Sequence, residues 1–275
     1  MTKKKIDVYQ MVTDRIIEKL ENGVIPWKNP MQNFQAVNWK TGKAYRGINA
    51  ILLDGGEYAT FKVIKENGGK VKKGEKSQIA IFWKMWETED NEGEKINIPL
   101  MRYYNVFEIN TQVEGLESKR PLKIYDNDPI KEAEAIKDNY MGGPSYSSEM
   151  GGAWYRPSFD QVNIPPLKTF KNPSEYYSVL FHEMVHSTGH KDRLNREGII
   201  GKISFGSKTY SKEELVAEIG ASFLCNMVGI DNYTIDNSAS YINSWLRKLR
   251  NDKKFIVSAS QQAQKACDLI LNTKF

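Results

Sequence analysis

Apolar residues return every three or four positions over residues 7–21, where Val8, Met11, Val12, Ile16 and Leu20 share one side and Asn22-Gly23 follows as a stop. That spacing predicts an amphipathic helix. Over residues 39–107 the period shortens. Runs such as Gln78-Ile79-Ala80-Ile81-Phe82-Trp83 and Met101-Arg102-Tyr103-Tyr104-Asn105-Val106-Phe107 read as strands, punctuated by Gly42, Gly55-Gly56 and Gly68-Gly69. The acidic stretch 87–94 between two aromatic strand candidates predicts a hairpin loop. Beyond it the helical period returns at 130–138, 173–190, 212–228, 238–249 and 255–271, with short strand-like runs around Tyr146 and Ala153-Trp154-Tyr155. No internal repeat is visible.

These patterns predict an α+β chain of two domains. A small α+β module covers residues 1–118, a polar linker 119–128, and a mainly helical domain with a small sheet 129–275. The linker carries Lys119-Arg120-Pro121 and acidic residues near its end. A chain of 275 residues can bury such cores without disulfides.

Composition narrows the class. The hydrophobic fraction of 40% and charged fraction of 27% fit a globular protein, not a disordered or fibrous one. No apolar run reaches the length of a membrane helix, and the basic N-terminus lacks an apolar segment behind it, so the reading is a cytoplasmic chain with no membrane partner. Cys225 and Cys267 lie in apolar helical patterns with no metal-ligand spacing, which predicts buried, reduced thiols. The net charge of +5 is uneven: residues 1–120 carry twenty basic against sixteen acidic side chains, and residues 36–84 carry ten against four. Such a patch attracts phosphate, although it also suits a plain solvated face.

All three histidines fall in Phe181-His182-Glu183-Met184-Val185-His186-Ser187-Thr188-Gly189-His190. With three His and 21 Glu in the chain, an HExxH pattern arises by chance in about two such chains in a thousand. Asn172-Pro173-Ser174-Glu175 supplies an N-cap, a proline at the first helical position and a glutamate placed for a capping box. On the predicted helix His182 and His186 share a face one turn apart, so both imidazoles reach one ion, which is the zincin arrangement for Zn2+. Glu183 stands on the flank, as the base that activates the water zinc polarises for peptide hydrolysis.

A third ligand is needed, and two candidates compete. Glu214 on the following helix makes a two-His, one-Glu set, with Glu218 one turn on as a carboxylate that orients a ligand histidine. Against this, Glu214 is also placed as a capping-box partner of Ser211, and Glu213 as a first-turn charge on the helix dipole. The rival is Asp192 in HExxHxxGxxD, with Gly189 turning the chain, but no Met-turn follows. Glu214 is the favoured reading. His190 reads as a helix C-terminal histidine, or as a contact near the site. Gly151-Gly152-Ala153-Trp154-Tyr155-Arg156-Pro157 reads either as an edge strand that pairs with extended substrate or as a sheet with a core tryptophan.

In the first module basic and aromatic residues interleave. Trp39, Lys43, Tyr45, Arg46, Asn49, Lys62, Lys72, Lys73, Lys76 and Arg102 are the candidates for single-stranded DNA, with cations on phosphates and rings on bases. Aromatics on alternating strands also build cores, so composition leaves both readings open. Here the sequence resembles the ArdC-type antirestriction proteins of plasmids and other mobile elements. The resemblance is carried by Pro26-Trp27, Thr41-Gly42, Tyr45-Arg46-Gly47-Ile48-Asn49, Lys73-Gly74-Glu75-Lys76 and Tyr104-Asn105-Val106-Phe107, then by the 182–190 run, Arg193-Leu194 and Glu213-Glu214-Leu215-Val216-Ala217-Glu218-Ile219-Gly220-Ala221. It implies a single-stranded-DNA-binding domain joined to a zincin-like metallopeptidase domain, with His182, His186 and a glutamate of the second helix as ligands. The alternative function is a DNA-binding, restriction-shielding protein whose metal is structural or vestigial.

Overall fold

The computed structural model describes residues 7–22, 25–27, 36–53, 55–89, 95–119, 129–150, 152–201, 208–230 and 239–273. Its contacts divide the chain into two units, Met1–Val12 with Gln35–Lys123, and Thr13–Phe34 with Ile124–Phe275. One division falls between Lys123 and Ile124, inside the stretch read as a linker. Another crosses the first helix, α1 (Val8–Glu21), which the sequence pattern had placed wholly in the first domain.

The first unit is built on a four-stranded sheet. Its strands are β1 (Val37–Asn38), β2 (Glu57–Thr60), β4 (Gln78–Glu89) and β5 (Lys95–Glu108), in the order β1-β2-β5-β4. A second, two-stranded sheet pairs β3 (Lys70–Val71) with β6 (Val113–Glu114), and α2 (Ile48–Leu52), α3 (Phe61–Glu66) and α4 (Ile109–Gln112) connect these strands. The β4–β5 hairpin runs in unbroken register from Gln78↔Val106 to Glu89↔Lys95. Residues 87–89 are therefore strand where a loop was expected. The run Trp86, Thr88, Ile96 and Ile98 supplies residue types that favour strands, and residues 90–94 lie outside the described ones. One core cluster gathers Ala36, Leu53, Tyr58, Ala80 and Val106, another Trp39, Ala59, Ile64, Ile109 and Val113.

The second unit packs helices against a three-stranded sheet. Besides residues 13–21 of α1, its α-helices among the described residues are α5 (Pro129–Asp138), α6 (Pro173–Ser187), α7 (Glu197–Ile200), α8 (Lys208–Val228), α9 (Ala239–Asn251) and α10 (Phe255–Ile270). The sheet orders β7 (Ser145–Ser147), β9 (Gln161–Asn163) and β8 (Trp154–Arg156), with β8 at one edge. Leu180, Phe181, Met184 and Val185 of α6 meet a core that includes Leu215, Val216 and Ile219 of α8, all without solvent exposure. Each such side chain contributes about 1.5–3 kcal/mol through burial. Cys225 and Cys267 are buried and unbridged.

Local chemistry sets the ends of α6. Asn172 caps it, accepting from Glu175 N at 2.9 Å, while the Glu175 carboxylate accepts from Lys171 N, one residue earlier than a capping box requires. The helix stops at Ser187, short of the expected 190. Ser187 Oγ donates to Met184 O at 2.7 Å and Thr188 Oγ1 to Val185 O at 2.6 Å, and the chain then folds back through Leu194 N→Thr188 O and Arg196 N→Gly189 O.

Candidate metal centre

The α6 backbone places the His182 and His186 rings nearly perpendicular, with their Nε2 atoms 3.1 Å apart. Two ring nitrogens that close cannot both carry protons toward each other. Either one donates to the other or both face a shared cation. From α8, Glu214 Oε2 lies 3.7 Å from His182 Nε2 and Oε1 lies 3.7 Å from His186 Nε2. Among the described residues, the group of His, Cys, Asp and Glu side chains close enough to share one ion is His182, His186 and Glu214.

Behind the rings stand two more carboxylates. Glu218 Oε1 sits 3.4 Å from His182 Nδ1, a distance for charge attraction without the alignment of a hydrogen bond. Glu213 Oε1 lies 3.2 Å from His186 Nδ1, and Glu213 is also held by Arg196, at 2.9 Å from Nε and 2.6 Å from Nη2. Burial alone would depress the His182 imidazole, but Glu214, Glu218 and Glu183 outweigh it and carry the pKa from 6.5 up to about 9. Burial would raise the Glu213 carboxyl; hydrogen bonds from His186 and Arg196 instead hold it down, from 4.5 to about 2.

An open cleft of about 520 Å³ exposes this cluster, lined by His182, Glu183, His186 and Glu214 together with Trp154 and Tyr155 of the edge strand β8. Trp154 is half-buried beneath the Arg156 guanidinium, 4.3 Å away, so it belongs to the cleft wall and not to a core.

Several expectations are corrected by this geometry. Asp192 is not brought to the cluster: its side chain is 75% exposed and faces His190 Nδ1 at 3.5 Å. His190 lies three residues past the end of α6, in the turn, so it is not a helix-terminal histidine. Gly189 does lie in the turn, as expected, but without a positive φ. Its missing side chain makes room, because a Cβ there would fall 2.5 Å from Ile199 Cγ1. Glu213 is not a first-turn charge, since α8 begins five residues earlier at Lys208, which also places Ser211 inside the helix and removes the capping-box reading of Glu214.

The basic and aromatic candidates of the first unit separate into two sets. Lys43, Arg46, Lys73, Lys76 and Arg102 are exposed, and Lys62 is exposed beside Glu66 at 3.7 Å. Lys72 directs its ammonium to Thr111 O at 2.7 Å, and Tyr45 is half-buried edge-on to Tyr58. Trp39 is in the core, with Nε1 donating to Glu117 O and Lys119 Nζ 3.7 Å above its ring, so no face is open to a base. Asn49 spends its amide on β4, donating to Ile81 O at 2.7 Å and accepting from Ile81 N at 2.6 Å. Gly47 (φ 57) makes the turn that sets Asn49 there. Among the residues whose side chains are described, the large aromatics most exposed on this sheet are Phe82 and Tyr104, about half exposed and 6.3 Å apart edge to face, with Arg102 cross-strand from Phe82. Strand alternation alone does not single them out, because Ala80 and Val106 on the same sheet face are buried in a core cluster.

Residues 6–107 match the N-terminal domain of anti-restriction factor ArdC, and residues 133–262 match a zincin-like metallopeptidase family. Crystal structures of the antirestriction ArdC protein from plasmid R388, metal-free and Mn(II)-bound, superpose with a TM-score of 0.78 at 37% identity, over 97% of this chain and 97–98% of theirs. The chain belongs to the ArdC antirestriction family. Its two-domain α+β architecture, with a zincin-like C-terminal domain, is that of the family. A DNA primase TraC of Escherichia coli is 31% identical over 98% of this chain, and an uncharacterized protein y4eC of Sinorhizobium fredii is 29% identical over 95% of it. The chain spans only 28% of that TraC and 20% of a second one, but 91% of y4eC. Among the described residues no helix is long and apolar enough to cross a membrane.

Proposed function

We propose that this member of the family binds single-stranded DNA through its N-terminal unit and carries a zinc-dependent peptidase centre in its C-terminal unit, in the antirestriction function of a mobile element. The observation that carries the catalytic half is the pair of Nε2 atoms 3.1 Å apart, each 3.7 Å from a Glu214 oxygen, in an open cleft. Imidazole nitrogens bound to one tetrahedral zinc at about 2.0–2.1 Å stand about 3.3 Å apart, so the donor set fits the ion, with His182, His186 and Glu214 as its holders. When bound, zinc supplies Lewis acidity that brings the pKa of a water toward about 7 and polarises a carbonyl. Glu183 takes the proton of the attacking water and returns it to the leaving amine. Glu213 and Glu218 keep the two imidazoles turned toward Glu214. A three-residue donor set beside an open cleft favours this reading over a closed structural site, which uses four protein ligands.

The DNA half is supported by the exposed Lys43, Arg46, Lys73, Lys76 and Arg102 and by the half-exposed Phe82–Tyr104 pair. Cations of this kind track phosphates while rings stack on bases. Glu183→Gln separates the two activities. It should lower hydrolysis of a susceptible peptide by about 10²–10⁴-fold while leaving bound ion and DNA affinity unchanged. A variant that hydrolyses as well as the parent removes Glu183 as the base.

A further inference from the structure

Arg196 matches no motif in the sequence, yet it is 7% exposed and its guanidinium bonds go to groups surrounding His186. Besides the two contacts to Glu213, its Nη1 donates to Thr188 Oγ1 at 2.6 Å and its Nη2 to Val185 O at 2.8 Å. The guanidinium thus bridges the last turn of α6 and the second turn of α8. A neutral imidazole that offers Nε2 to a cation must keep its proton on Nδ1, and the acceptor facing that proton is Glu213. A glutamate side chain is flexible by itself. Here both oxygens are gripped by Nε and Nη2 of a planar fork, which is anchored to the end of α6, the helix that carries His186, by Nη1 on Thr188 and by Nη2 on Val185 O. The seat is shaped by two glycines. A Cβ on Gly198 would fall 2.6 Å from Glu213 Cβ, and one on Gly189 would fall 3.1 Å from Arg196 Nη2.

We infer that Arg196 is a positioning residue of the metal centre: it locks Glu213 against Nδ1 of His186 and so fixes the ring nitrogen that faces His182 and Glu214. The inference rests on the metal-centre reading above.

The test measures zinc affinity by competition with a chromophoric chelator, and the visible spectrum of the cobalt(II) form, alongside circular dichroism and thermal melting. Folded Arg196→Gln should bind zinc about 10–100-fold more weakly and shift the cobalt bands. Arg196→Lys should fall between, because it keeps the charge but not the fork. Arg196→Gln with Glu213→Gln should lose little more than either alone, as expected of residues acting through one another. Folded variants with parental affinity and an unchanged cobalt spectrum would overturn the inference. Should Arg196→Gln fail to fold, folded Arg196→Lys decides: weaker zinc binding with shifted cobalt bands upholds the inference, and parental affinity with an unchanged spectrum overturns it. A parent chain that takes up neither zinc nor cobalt overturns the metal reading and this inference together. Uptake by the parent with indifferent variants overturns this inference alone.

Discussion

Gly220 of α8 lies against Val185 of α6 so closely that a Cβ at position 220 would fall 2.8 Å from Val185 Cγ2 and 3.0 Å from Cγ1. Val185 precedes His186, and Gly220 lies six residues after Glu214, so this approach sets how near the glutamate comes to the histidines. Gly220→Ala gains about 1 kcal/mol of helix propensity, but overpacking against a neighbouring helix costs about 1–3 kcal/mol. The net expectation is a lower melting temperature and weaker zinc binding, both restored in part by adding Val185→Ala. Unchanged melting and affinity in the single variant would show that this approach does not set the spacing.

The turn after α6 is fastened by Arg193, which donates to Ser187 O, Gly142 O and the Asp160 carboxylate. Burial would raise the Asp160 carboxyl, but Arg193 and Tyr155 hold it below its ordinary 3.8. A depressed carboxylate stabilises the fold above its unfolded pKa of about 3.9, and that contribution is lost as pH falls through the folded value. Asp160→Asn keeps a residue type suited to φ 45 while removing the charge. It should cost about 1–3 kcal/mol at pH 7, with the gap from the parent closing below about pH 4. A gap that stays constant down to pH 3 would contradict the ion pair.

On the sheet of the first unit, Phe82→Ala and Tyr104→Ala should each weaken binding to a labelled single strand by about 1–3 kcal/mol without altering its salt dependence. Lys73→Ala and Lys76→Ala should instead flatten the slope of log affinity against log salt, by about 0.7 for each phosphate the protein no longer neutralises. Asn49→Ala should lower stability, because it frees both backbone groups of Ile81. Indifference of Phe82 and Tyr104, with strong weakening on mutating a different face, would move the interface elsewhere.

How far the sequence could be read follows from the range of the interactions involved. The α6 helix, its Asn172 cap and the shared face of His182 and His186 depend on neighbours within one or two turns, and they stand as the local pattern implies. The strands around residues 78–83 and 101–107 were legible for the same reason. Glu213 was misread because its environment is made by Arg196, seventeen residues earlier and beyond a turn, and because the start of α8 lies five residues upstream of it. Trp39 and Asn49 look like surface ligands beside lysines and an arginine. Only the backbone of residues 81 and 117, distant in sequence, shows that both are occupied by the fold.

Metal analysis of the purified chain and four variants tests the central claim most directly. About one zinc per chain is expected in the parent and in Asp192→Ala, with loss in His182→Ala and His186→Ala and sharply reduced retention in Glu214→Ala. A metal-free parent, or an ion kept by Glu214→Ala and lost from Asp192→Ala, would contradict the account.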